Sequence, residues 1–77
     1  MSLLLLGTSA CHLCDQAQTI LAQASAARPL RWQLQDIALD DGLVTRYGER
    51  IPVLLRDDGA ELNWPFSLLD VLRFTQK

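Results

Sequence analysis

The chain has 77 residues, with Lys+Arg 7, Asp+Glu 9 and one His, for a formal net charge of −2. That length limits it to one small domain, residues 1–77, and excludes a barrel enzyme or a full dinucleotide-binding fold. The acidic balance and the 6% aromatic content exclude a phosphate-neutralising or base-stacking nucleic-acid binder, while 49% hydrophobic residues are enough for a core.

Leu3 to Leu6 is an unbroken apolar run ended by Gly7, which suits a central strand buried on both faces. A helix is expected from Cys11 to Ala27, with Leu13, Ala17, Ile20, Leu21 and Ala24 on one inward face. Arg28-Pro29 stops it. Leu30, Trp32 and Leu34 alternate with Arg31, Gln33 and Gln35, a period-two pattern that predicts a strand with one wet face at a sheet edge.

Asp40-Asp41 can cap a short second helix, with Leu43, Val44 and Tyr47 inward and Gly48 closing it. Pro52 to Leu55 reads as a third strand. Asp57-Asp58-Gly59 reads as a hairpin turn and Ala60 to Asn63 as the returning strand. Ser67 and Asp70 form a capping-box pattern that opens a last helix to about Gln76. The predicted class is α/β, in the order β-α-β-α-β-β-α. The first two strands should be parallel across the helix and the last two should form an antiparallel hairpin.

No apolar run approaches the ~18 residues of a membrane span, so no membrane association is expected. Leu3–Leu6 followed by Cys11 resembles a lipoprotein signal in outline, but it lacks a basic residue ahead and its apolar stretch is short. Both cysteines sit in one run, Cys11-His12-Leu13-Cys14. Such a pair does not staple a secreted fold, so a reducing, cytoplasmic setting is expected.

Cys11 falls where a helix begins. Unpaired backbone N–H groups and the helix dipole favour an anion there, so a Cys11 thiolate is expected to form below the ordinary thiol value of ~8.5. Adjacent His12 adds positive charge when protonated. Cys14, three residues on, is a neighbour on the same helix face, with Cβ atoms ~5–6 Å apart, within reach of a disulfide. It should be the less exposed of the two. In the redox reading Cys11 attacks a disulfide and Cys14 resolves the mixed disulfide. A metal or iron–sulfur carrier using Cys11 and Cys14 is a second reading. It would need ligands from outside the motif, so no complete metal site is expected within this chain. A non-catalytic binding module is a third. Haem attachment fails because Asp15, not His, follows Cys14.

Residues 5–15, Leu-Leu-Gly-Thr-Ser-Ala-Cys-His-Leu-Cys-Asp, together with Tyr47 to Leu54, Tyr-Gly-Glu-Arg-Ile-Pro-Val-Leu, resemble the small glutaredoxin-like proteins of bacteria. These belong to the thioredoxin-fold superfamily. The resemblance implies a four-stranded mixed sheet with three helices and a thiol–disulfide oxidoreductase. It further implies a cis-proline at Pro52 facing Cys11, which would leave the Ile51 backbone free to pair with an extended substrate. The expected partner is a disulfide-containing protein or a low-molecular-weight thiol, with glutathione as a reductant, no bound cofactor and a monomeric chain. Thr8 stands where glutaredoxins carry a basic residue, and Asn63-Trp64-Pro65-Phe66-Ser67 replaces their Gly-Gly pair and acidic residues. Trp64 and Phe66 could line a groove beside Cys11 or close the core at a strand-to-helix corner.

Overall fold

Alternate residues of the leucine run face opposite sides of a sheet, and each side finds its own cover. The computed structural model describes residues 2–76. In it Ser2–Gly7 forms β1, the central strand. The other strands are β2 (Arg31–Asp36), β3 (Val53–Arg56) and β4 (Glu61–Asn63). The helices are α1 (His12–Ala27), α2 (Asp41–Tyr47) and α3 (Leu68–Phe74). The strand order is β2-β1-β3-β4. β1 runs parallel to β2, with Leu5 opposite Leu34, and antiparallel to β3, with Leu5 opposite Leu54. β3 and β4 form the expected antiparallel hairpin, with Gly59 at φ 94° in its turn. This is the thioredoxin-like arrangement expected from the sequence.

The two-residue period of a strand sorts the core. Leu3 and Leu5 of β1 and Leu54 of β3 join Ala17, Leu21 and Ala24 of α1, Val71 of α3 and Phe66 in one buried cluster. Leu6 and Val53 point the other way and meet Ile37 and Tyr47. Trp32 is half-buried against the first cluster. Burial of a leucine on this scale stabilises the fold by roughly 1.5–3 kcal/mol.

The helix ends follow local chemistry. Asp40 caps α2 by accepting the Leu43 N–H at 3.1 Å. Ser67 and Asp70 complete a reciprocal capping box on α3, at 3.1 and 2.9 Å.

The structure corrects several details. Leu13 and Val44 are not inward but 43% exposed, because Cys14 takes the inward position of the first turn of α1 and Tyr47 that of α2. Gly48 closes α2 as expected, with helical φ of −52° and its N–H donated to the Val44 carbonyl at 2.8 Å. A single 3₁₀ turn, Ile37–Leu39, precedes α2 and is capped by the Asp36 side chain.

Arg28 does more than stop α1. Its Nη1 donates to the Leu72 carbonyl at 2.8 Å and to Thr75 Oγ1 at 3.1 Å. Arg56 Nη1 donates to the Phe74 carbonyl at 2.7 Å. Two arginines thereby satisfy carbonyls at the C-terminal end of α3 that have no helical partner.

Candidate functional site

β1 ends at Gly7 and the chain turns through Thr8, Ser9 and Ala10 into α1. Ala10 takes φ of 61°, in the left-handed region that few non-glycine residues occupy. Cys11 follows as the N-cap of α1, and its sulfur accepts the Cys14 N–H at 3.1 Å. Sulfur here replaces the hydroxyl or carboxylate oxygen that usually caps a helix.

Cys11 and Cys14 are joined in a disulfide, with Cα atoms 5.2 Å apart. The two sulfurs differ in access. Cys11 is partly exposed at the helix end, whereas Cys14 is only 1% exposed. Cys14 lies against Gly7, on the strand that leads into the site. His12 is exposed at the first helical position. Among the described residues, no group of three His, Cys, Asp or Glu side chains is placed to hold a metal ion.

The Ile51–Pro52 bond is cis, as the resemblance implied, and so is Trp64–Pro65, which nothing in the sequence singled out. The Ile51 backbone is only half as free as expected. Its N–H donates to the Tyr47 carbonyl at 3.1 Å.

A groove of about 370 Å³ is walled by Leu13, Glu49, Arg50, Ile51, Asn63 and Trp64. It joins the residue between the two cysteines to the residue before Pro52. His12 is not among its walls. Trp64 is held by an edge-to-face contact with buried Phe66, with centroids 4.9 Å apart and planes at 78°. Trp64 thus lines the groove while its neighbour Phe66 closes the core. A larger concavity, about 870 Å³, lies at the opposite end of the sheet beside Ser2, Leu30, Trp32 and Asp57.

A polar cluster fixes the rim. Arg50 Nη2 donates to Glu61 Oε1 at 2.8 Å and to Asn63 Oδ1 at 2.9 Å. The Tyr47 hydroxyl donates to Glu61 Oε2 at 2.6 Å. Arg46 and Arg50 both lie over the Tyr47 ring, at 5.2 and 5.0 Å. The Tyr47 bond, and after it the Arg50 bond, hold the Glu61 carboxyl below its ordinary range. The same Tyr47–Glu61 bond raises the Tyr47 phenol. In the sequence Glu49 and Arg50 stood out only as members of the Tyr47 to Leu54 motif, and Asn63 only as part of the segment 63–67.

The family model described as Glutaredoxin-like domain (DUF836) matches residues 2–74. The chain belongs to this glutaredoxin-like family. A crystal structure of a structural-genomics target protein from X. campestris is 40% identical, with a TM-score of 0.78 over 94% of this chain and 92% of that one. The solution structure of the X. campestris target is also 40% identical, with a TM-score of 0.81 over 96% and 91%. A protein from Nitrosomonas europaea is 21% identical, with a TM-score of 0.81 over 95% and 88%, and is similar in fold alone. No curated protein matches the chain. A glutaredoxin-like domain with a cysteine pair at the start of its first helix fits a redox protein of thioredoxin fold.

Proposed function

We propose that this glutaredoxin-like protein is a thiol–disulfide oxidoreductase. The observation that carries the reading is the unequal access of its two half-cystines, with Cys11 at the helix N-cap and Cys14 buried one turn behind it. In the reduced protein a Cys11 thiolate would keep the Cys14 N–H as a charge-assisted donor and sit at the positive end of α1. Protonated His12 would add to that field.

The chemistry balances in two exchanges. The Cys11 thiolate attacks a substrate disulfide. A Cys11–substrate disulfide forms, the substrate S–S bond breaks, and one substrate thiolate leaves and takes a proton. The Cys14 thiolate then attacks Cys11 Sγ. The Cys11–Cys14 disulfide forms, the second substrate thiol leaves, and two electrons have passed from protein to substrate. Glutathione or a dithiol reductase returns them.

Pro52, the Ile51 carbonyl and Trp64 shape the place where the substrate chain lies. A monomer in the cytoplasm acting on a protein or small-thiol disulfide, with no resident metal or cofactor, completes the proposal.

The test is turnover of a small mixed disulfide by wild type, Cys11→Ser and Cys14→Ser, with mass spectrometry of the products. Cys11→Ser should abolish turnover, and only Cys14→Ser should accumulate a stable mixed disulfide. Equal trapping by both variants would overturn the assignment of roles. Absence of wild-type turnover with any thiol reductant would leave a binding module in its place.

A further inference from the structure

The groove beside the disulfide combines an apolar surface with a charge-balanced rim. Leu13 is 43% exposed, and Ile51 and Trp64 are half-buried in the same walls. A single exposed leucine carries no meaning. This one lies between the two cysteines and continues into a formed groove, so a chain bonded to Cys11 must pass close to it.

The rim does not favour an anion. The Arg50 Nη2 that faces Asn63 is already given to Glu61. Glu61 in turn answers Tyr47 and lies 3.8 Å from Arg46. Glu49 adds a second carboxylate to the walls. A small anionic thiol therefore gains no net attraction here, while an apolar side chain would cover Leu13, Ile51 and the Trp64 ring. The volume, about 370 Å³, is at the low end of ligand sites, which run to roughly 300–1,000 Å³.

We infer that Leu13, sharing the groove with Trp64 and Ile51, determines specificity by receiving an apolar side chain next to the reactive half-cystine of a polypeptide substrate. The inference rests on the oxidoreductase reading and narrows it to protein disulfides with an aliphatic or aromatic flank. In the mixed disulfide the substrate sulfur is bonded to Cys11. The flanking side chain then lies along the groove, and the Ile51 carbonyl accepts a main-chain N–H from the same segment.

The experiment uses two peptides identical except for Leu or Ser beside a single Cys, each joined in a disulfide to 2-nitro-5-thiobenzoate. Pre-reduced protein, freed of reductant, reacts with each in single turnover, and the released coloured thiolate gives a second-order rate constant. The Leu peptide should react about tenfold faster than the Ser peptide, the range of one apolar pocket contact. Leu13→Ser should bring that ratio close to one. Leu69→Ser, which alters another exposed leucine (54%) on α3, should leave it as in wild type. A wild-type ratio near one, or a ratio unmoved by Leu13→Ser, overturns the inference.

A parallel NMR titration of the full chain with the two peptides, Ser replacing their Cys, reads docking without chemistry. If no disulfide releases thiolate, the oxidoreductase reading fails. Shifts at Leu13 and the Trp64 indole with the Leu peptide alone would still uphold the apolar groove. Absence of both thiolate release and those shifts would remove both.

Discussion

Gly7 leaves room for the sulfur of Cys14. A methyl group at residue 7 would stand 2.9 Å from Cys14 Sγ, 3.2 Å from its Cβ and 3.5 Å from Leu34 Cδ1. The first distance is far inside van der Waals contact, and Cys14 is 1% exposed and tied to Cys11 by the disulfide. The last residue of β1 thus sets where the buried half of the disulfide can lie.

Gly7→Ala should therefore act on Cys14 at a distance from the reactive end. Overpacking of this kind is expected to destabilise the fold by roughly 1–3 kcal/mol. It should also slow resolution, so that a mixed disulfide on Cys11 persists longer than in wild type. Urea unfolding reads the first effect and quenched mass spectrometry the second. Wild-type stability together with wild-type resolution would contradict the packing argument.

Ala10 holds the turn into α1 with φ of 61°. Left-handed backbone costs an L-residue roughly 1–2 kcal/mol, whereas glycine there would lose about 0.4–1 kcal/mol through its freer unfolded chain. The first outweighs the second, so Ala10→Gly should be more stable than wild type, by no more than about 1.6 kcal/mol. Ala10→Val, with a β-branched side chain, should be the less stable by more than ~1 kcal/mol. Thermal or urea midpoints of the two variants decide it.

Arg28 ties the end of α1 to the end of α3. Arg28→Ala removes donors to the Leu72 carbonyl and Thr75 Oγ1 and should destabilise by about 1–3 kcal/mol. The urea midpoint should fall while the slope of the transition stays constant. A raised amide exchange rate confined to α3 would place the loss where the bonds are.

Acid should weaken the hairpin end of the sheet. Asp58 accepts Arg56 Nε at 2.8 Å and Nη2 at 2.6 Å, and also the Ala60 N–H. The Arg56 bonds, and after them the Ala60 bond, hold its carboxyl down from 3.8 to about 2. A depressed carboxyl contributes stability that is present above its unfolded value and is lost as pH falls through its folded one. Stability should therefore decline from about pH 4 toward pH 2. Glu61, also held low, adds to the same slope. Asp58→Asn should flatten part of the decline in urea titrations across that range.

Much of the fold was legible because its signals are local. The strand β2, the Asp57-Asp58-Gly59 turn and the Ser67/Asp70 box each depend on a few residues, and all three occur where expected, although Leu34 on the dry face read for β2 is 45% exposed. Leu13 departs from its pattern for the opposite reason. Its spacing matches the inward stripe of α1, but Cys14 is the residue that meets Gly7. A stripe broad enough for both cannot say which of two neighbours is covered. The groove was hidden further still, since Leu13, Arg50 and Trp64 are far apart in the chain.

From the sequence alone came the order of the elements, the cysteine pair at the mouth of a helix and the family resemblance. The first two depend on periodicity, capping or spacing over a short stretch, where backbone geometry dictates the outcome, and the resemblance rests on the residues of two separate motifs, 5–15 and 47–54. The tertiary structure alone decided that Leu13 stays exposed beside buried Cys14, that the Ile51 N–H is already bonded to Tyr47, and that Arg50 is paired with Glu61 at the rim of the groove. Those facts depend on side chains and backbone from separate elements meeting in space, and close packing settles such meetings only when the whole chain is folded.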